Sequence, residues 1–474
     1  MTDQTPTDDA ESVLRNKCVA LIHATRRRLH ELDPGLFPAE STKEALAILT
    51  KTIERIGEAE NLRQARPTKV YPALLSLQDL IQDIELSGSY HLSWPLIELL
   101  GDAFSKLVAH GDIAAFYATM KEHNYRTISY NQQYQRLLGG ALPARALASI
   151  LGTRQLLCVE LPSVEEEHPA LHTNVLHEFG HVLLDNDSPF AHDFVRVWLR
   201  EFRPFFTDVE RDIVGNTEDK QDLRFALGEA CYQFASELVC DCFGAAVVGP
   251  AFSIAYGEMR WNKPTSFWIV QPSSSGRGLR AHPGFSFRVE VLKGLRSYQS
   301  FRDGAVRLFP RLKTPELNDF DRLMDLVDTR RSTDRIAVNR FLGIDSDSAQ
   351  SILNDRLTKL KDACRRVVMR FEPLVVDRLK GILDPVKPQT IFELLRRLEQ
   401  DLTPNTAKDT IPCGLGADFQ SILAAGLYYR LGLLSVRSQD ETRMVRSLNI
   451  ADQLVAKAIE QSYVQHHANV VGGG

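Results

Sequence analysis

The 474-residue chain contains no CxxC pair, and its seven cysteines (18, 158, 231, 240, 242, 364 and 413) are odd in number and scattered. A disulfide framework and a cysteine-based zinc ribbon are therefore not expected, and a reducing cytoplasm fits. No basic excess exists either: 56 Lys and Arg stand against 61 Asp and Glu, for a formal charge of -5. Neither nucleic acid nor an anionic membrane is indicated as a partner. Residues 1–12 are polar and acidic, without the basic and apolar segments of a secretory signal. No apolar run reaches the roughly 18 residues of a membrane span. The nearest, 243–256, is broken by Gly244, Gly249 and Pro250, so a soluble protein is expected. There is no fixed-period repeat, and no low-complexity tract beyond the three C-terminal glycines.

What is present is an ordinary globular composition, 44% hydrophobic and 25% charged, long enough for two or three domains. Residues 1–10 read as a disordered lead-in and 11–135 as an N-terminal helical region, with helix patterns at 13–32, 42–56, 71–86 and 94–110. Gly139, Gly140 and Pro143 mark a loop that opens a central region, 136–313. Within it, 155–162 reads as a short apolar strand stopped by Pro162. Such a strand either lies at a sheet edge and holds a substrate peptide, or is a buried core strand. Residues 314–468 read as a C-terminal helical region, with patterns at 316–329, 348–371, 373–383, 390–402, 419–434 and 441–464, before a flexible tail, 469–474.

The chemistry gathers at His177-Glu178-Phe179-Gly180-His181, an H-E-x-x-H pattern. On a helix, residues four apart share a face, so His177 and His181 can grip one metal ion while Glu178 is placed to take a proton from a water. Val175, Leu176, Phe179, Val182 and Leu183 recur at helical spacing and supply the face to be buried. Gly180 is unfavourable mid-helix by roughly 1 kcal/mol, which points to a close packing contact. A catalytic zinc takes three protein ligands and leaves one position open. Two places offer the third. Asp187 stands ten residues beyond His177, similar to the third ligand of the metzincins, but Leu184 occupies the position of the glycine with which those proteins turn the chain back. The helix 223–248 offers Glu229, Gln233, Glu237 and Asp241 on one face, in an otherwise apolar, small-residue context that reads as buried. There Glu237 can reach the metal, and Asp241 can hydrogen-bond a ligating histidine. Cys240 and Cys242 read as buried apolar residues, and His172, His192, His466 and His467 as surface histidines.

H-E-x-x-H followed by E-x-x-x-D resembles the gluzincin zinc metallopeptidases. Ala281-His282-Pro283-Gly284-Phe285-Ser286-Phe287-Arg288 is similar to the H-P-P-x-x-x-R element of the M48 peptidases, the Ste24/HtpX-like group, with Gly284 in place of the second proline. The resemblance covers about 172–292 and leaves out the membrane helices of that group. It implies a mainly α (α+β) fold, with a small zincin-like core between the N- and C-terminal helical regions. It further implies His177, His181 and Glu237 as Zn2+ ligands, Glu178 as general base and Asp241 as partner to a ligating histidine. By the same analogy His282 stabilises the oxyanion, and Arg288 braces the carboxylates or His282. The expected activity is a soluble zinc endopeptidase acting on a protein or peptide, with a protein partner on the helical flanks. The competing readings are a helical scaffold with a structural or vestigial metal site, and a metallohydrolase of non-peptide substrates.

Overall fold

The computed structural model describes residues 8–37, 40–58, 66–87, 93–107, 113–120, 125–129, 142–151, 155–162, 168–185, 189–210, 217–260, 268–272, 279–327, 335–338, 346–405, 417–436 and 441–472. They fall into two compact units, Met1–Glu167 and His168–Gly474.

In the first unit, helices α1 (Asp8–Glu31), α2 (Glu40–Ile56), α3 (Pro67–Glu85) and α4 (Trp94–Leu107) precede strands β1 (Ile113–Met120) and β2 (Arg126–Ser129). Helix α5 (Ala144–Leu151) and strand β3 (Gln155–Pro162) follow. Val70, Leu74, Leu77, Ile81 and Ile84 recur every three or four residues along α3 and form its buried stripe. They join Ile22 of α1 and Leu49 and Ile53 of α2 in one core. Strand β3 is central in its sheet, parallel to β1 on one side and antiparallel to β2 on the other. Both its edges are used, so the substrate-holding edge is excluded and the buried core strand is what the fold contains. Its apolar run, buried from Leu157 through Pro162, is the signature of a strand covered on both faces. β1 and β2 correct the expectation of helix through this stretch. The alanines of β1 mask its character in the sequence, and pairing with β3 overrides local propensity.

The second unit begins with one 3-10 turn (Pro169–Asn174) leading into α6 (Val175–Asp185), α7 (Pro189–Glu210), α8 (Thr217–Val248) and α9 (Ala251–Arg260). Strands β4 (Trp268–Pro272) and β5 (Leu279–His282), helices α10 (Phe285–Lys293), α11 (Arg296–Leu308) and α12 (Phe320–Val327), and strand β6 (Ile336–Val338) follow. Helices α13 (Ser346–Asp355), α14 (Leu357–Leu379), α15 (Pro388–Leu398), α16 (Phe419–Leu434) and α17 (Glu441–Gly472) complete it. The fold is mainly helical with two small three-stranded sheets among the described residues.

Helix α8 is the axis of this unit, packed by α6, α14, β5 and α10. Every residue from Phe234 to Val248 is buried. By length and composition Arg224–Val248 would span a membrane, which corrects the search for a long apolar run, but 89% of the apolar window is covered by the protein itself. It is a core helix. Strands β4 to β6 fall where loop or helix was expected. β4 is central, antiparallel to β5 and parallel to β6, and it aligns Ile269 with His282. Helix α14 runs straight through Pro373, where a break was expected, because its buried stripe Val367, Val368, Phe371, Val375 and Leu379 continues on both sides. Beside that proline, the Glu372 carboxylate accepts hydrogen bonds from Arg296 N (3.1 Å) and Ser297 N (2.8 Å), capping α11.

Candidate metal centre

Helix α6 is fixed from both ends of its sequence logic. Asn174 Nδ2 donates to Leu171 O and Ala255 O, both at 3.2 Å, which ties the start of α6 to α9. Val175, Leu176, Phe179, Val182 and Leu183 are all buried, as the helical spacing required. Gly180 supplies the close approach. A Cβ placed there would lie 2.8 Å from the Cys240 Cα, a backbone atom of α8. Cys240 stands between Glu237 and Asp241, so that glycine contact sets how near the two carboxylates come to the histidines of α6.

The result is a converging donor set. His177 Nε2 and His181 Nε2 are 3.1 Å apart, His177 Nε2 is 3.5 Å from Glu237 Oε2, and His181 Nε2 is 3.4 Å from Glu237 Oε1. Donors about 2.0–2.1 Å from a tetrahedral zinc are separated by roughly 3.3–3.4 Å, close to each of these separations, with the two histidines facing different oxygens of the Glu237 carboxylate. His177, His181 and Glu237 each offer a donor atom within 4.8 Å of the others; Asp83, Cys158 and Glu160 of the first unit do so too, but without an imidazole or an H-E-x-x-H helix. Two nitrogens and a carboxylate oxygen are the donor chemistry that zinc takes.

The surroundings decide which atoms face the centre. Asp241 Oδ1 lies 2.9 Å from His177 Nδ1. A carboxylate only accepts, so His177 carries its proton on Nδ1 and turns a bare lone pair on Nε2 towards His181. Two imidazole nitrogens that close need a cation or a proton between them. Without the metal a proton fills that role. Burial opposes it, but hydrogen bonds donated to Asp241 and Glu237 prevail and push the His177 pKa up to about 9. His181 moves upward for the same reasons, burial being outweighed by Glu237.

Arg288 holds the carboxylates. Its Nε donates to Asp241 Oδ2 at 2.6 Å, its Nη2 to Asp241 Oδ1 at 2.5 Å and its Nη1 to Glu237 Oε2 at 3.1 Å. The guanidinium is 1% exposed and lies 4.2 Å from the ring centre of Tyr256. Burial raises the Asp241 pKa, but Arg288 and His177 outweigh it and hold the carboxyl below its ordinary range. Glu237 is held well below its range: burial is overcome by His282, His177 and His181 around it. One fixed cation against the two carboxylates that it holds leaves the buried cluster with a negative surplus, and a metal cation between neutral imidazoles answers it.

Glu178 is buried on α6 beside its ligand-bearing neighbours. His282 ends β5, with its Nδ1 3.3 Å from Glu237 Oε1 but without a hydrogen bond to it. It stands outside the three converging donors. Asp187 lies outside the described residues. Among the remaining histidines, His192 and His467 are exposed. His172 corrects the surface reading, since it is 2% exposed on the turn that leads into α6. Tyr256 was not anticipated. Its stacking on Phe285, with ring centres 5.5 Å apart, depends on a long-range packing that no local pattern announces.

H-E-x-x-H and E-x-x-x-D thus meet as a gluzincin-type hydrolytic zinc site, with the buried Glu178 carboxylate beside the donor set. No family model matches the chain, and neither a curated protein nor a solved structure matches it.

Proposed function

We propose that the protein is a zinc metallopeptidase in which His177, His181 and Glu237 hold the metal and Glu178 is the general base. The observation that carries this is the convergence of the two histidine Nε2 atoms, 3.1 Å apart, on the Glu237 carboxylate, whose two oxygens lie 3.5 and 3.4 Å from them, with Glu178 next to them on α6. Bound zinc supplies Lewis acidity and brings the pKa of a water towards neutrality. Glu178 takes the proton of the attacking water and delivers it to the leaving amine. Asp241 keeps His177 in its Nδ1–H form, and Arg288 keeps Asp241 and Glu237 ionised and in place. His282 stands beside the donor set as the group that stabilises the oxyanion of the tetrahedral intermediate.

The substrate is a protein or peptide, and the helical flanks are the proposed surface for a protein partner. A cytoplasmic setting is part of the proposal, supported by six free, buried cysteines among the described residues. A structural-zinc scaffold fits less well, because such sites are closed by four ligands, whereas three donors converge here among the described residues.

The test is zinc content and peptide hydrolysis of wild type, Glu178→Gln and Glu237→Ala. Wild type and Glu178→Gln should each hold about one zinc, as a single catalytic site does, and Glu237→Ala should lose or weaken it. Glu178→Gln should lower hydrolysis by roughly 10²–10⁴-fold. A wild type that takes up no zinc, or a Glu178→Gln variant that still hydrolyses at full rate, overturns the assignment.

A further inference from the structure

Helices α7 and α14 pack side by side in the second unit and share one buried carboxylate, Glu201. Three guanidinium groups reach it, all through Nε: Arg200 at 3.0 Å and Arg370 at 2.9 Å on Oε1, and Arg366 at 3.2 Å on Oε2. One buried carboxylate is balanced by one guanidinium. Here there are three, leaving two positive charges in surplus on a chain whose net charge is -5.

The surplus faces water. The side chains of Arg200, Arg366 and Arg370 are 58%, 47% and 52% exposed, whereas that of Glu201 is 7% exposed. No further hydrogen bond or ion pair engages these three arginines among the described residues, which leaves their Nη groups available to a ligand. The neighbouring acids are spent: Asp193 pairs with Arg196, and Asp208 with Arg356 and Lys359. Glu201 therefore works as a peg that pre-orients three forks, which lowers the ordering cost of binding.

A doubly positive, three-armed site matches a phosphomonoester, which carries about -1.5 to -2 charge at neutral pH and three acceptor oxygens. The site is open, and an isolated phosphate would gain little beyond those contacts. Exposed leucines flank it, Leu199 beside Arg200 and Leu374 one turn beyond Arg370. They offer apolar contact to residues on either side of a phosphorylated one. We propose that Arg200, Arg366 and Arg370, pegged on Glu201, bind a phosphorylated segment of a polypeptide. This goes beyond the zinc site and does not depend on it.

The experiment measures binding to the full-length protein of a short phosphoserine peptide with leucines on either side, its unphosphorylated twin and inorganic phosphate. The phosphopeptide should bind at least about tenfold tighter than either, as charge-assisted forked hydrogen bonds allow. The preference should vanish in Arg366→Gln/Arg370→Gln, with zinc content and thermal midpoint unchanged. Arg366→Lys, which keeps the charge but not the fork, should lose part of it. Should the double variant not fold, Arg200→Gln alone provides the comparison. Absence of a phosphate preference in wild type, or its persistence in the variants, overturns the site. Inorganic phosphate competing as tightly as the phosphopeptide overturns the polypeptide ligand.

Discussion

Two arginines in the second unit each bridge a pair of carboxylates, and in each pair one carboxylate also holds a histidine. Arg288 joins Asp241 to Glu237, and Asp241 lies 2.9 Å from His177 Nδ1. Arg430 joins Glu258 (2.8 Å) to Asp452 (3.0 Å), and Asp452 lies 2.7 Å from His168 Nδ1. The chemistry is the same; what remains after the bonds are made is not. Around Arg288, two imidazole nitrogens and a carboxylate are left facing one point, and a cation is required there. Around Arg430 no such donor set forms among the described residues. The bonds there fasten α9, α16 and α17 to His168, just ahead of the turn into α6. Glu201 gives a third case, in which the remainder is positive. Function is read from the surplus, since the presence of buried charge alone does not distinguish the three.

Removing each arginine breaks the comparison most sharply. Arg288→Met strands Asp241 and Glu237 and should cost about 3–5 kcal/mol, the usual penalty for breaking a buried ion pair. Zinc affinity should fall by about 10–100-fold as His177 loses its orientation. Arg430→Met should cost about 2–4 kcal/mol, somewhat less because partial exposure screens the pair. Its folded fraction should keep zinc at wild-type affinity. Chemical unfolding and zinc titration of both variants separate the outcomes. Zinc loss in Arg430→Met would show that the two networks act as one.

Two buried histidines extend the contrast to pH. Carboxylates surround His177 and hold its pKa near 9 in the metal-free site, whereas His172, one turn ahead of α6, is pushed down to about 4, mainly by burial and then by neighbouring His168. His172 is therefore neutral in the folded protein at pH values where the unfolded chain, with a pKa near 6.5, already takes a proton. Between these values the unfolded state binds more protons, so stability rises with pH and is lost on acidification from about 6.5 to 4. The full loss is about 3 kcal/mol. Urea unfolding across that window should show the slope, and His172→Gln should flatten it. An unchanged slope in the variant would assign the acid sensitivity to other groups.

The sequence carried the site further than it carried the fold. His177, Glu178, His181, Glu237 and Asp241 lie on two helices whose spacing is local, so four-residue arithmetic places them on usable faces. Gly180 was readable as a contact for the same reason: a glycine in mid-helix calls for a cause. Strand β3 was legible from its apolar run and Pro162, but β4, β5 and β6 were not, because they are three to five residues long and exist through pairing between segments up to about seventy residues apart. His172 was misplaced since its burial depends on α9 and α16 packing over its turn, which no neighbour in sequence reveals. Arg288 was reachable only through the spacing from His282. Its contact with Tyr256 was not.

The smallest expected effect is also the most local. Gly180→Ala gains about 1 kcal/mol of helix propensity, but its Cβ meets a backbone atom of Cys240 at 2.8 Å, so α6 must withdraw from α8. Overpacking of this kind costs about 1–3 kcal/mol, leaving a net loss near 1 kcal/mol. Metal binding should report it more strongly than stability does. Glu237 and Asp241 flank Cys240, and a shift of tenths of an ångström opens the donor triangle. Zinc affinity should drop by about tenfold, on the scale of lost ligand orientation. Gly228 on the same α8 meets nothing within 4 Å. Gly228→Ala should stabilise by about 0.5–1 kcal/mol and leave zinc untouched. If the two variants held zinc equally, the spacing between α6 and α8 would not be what tunes the site.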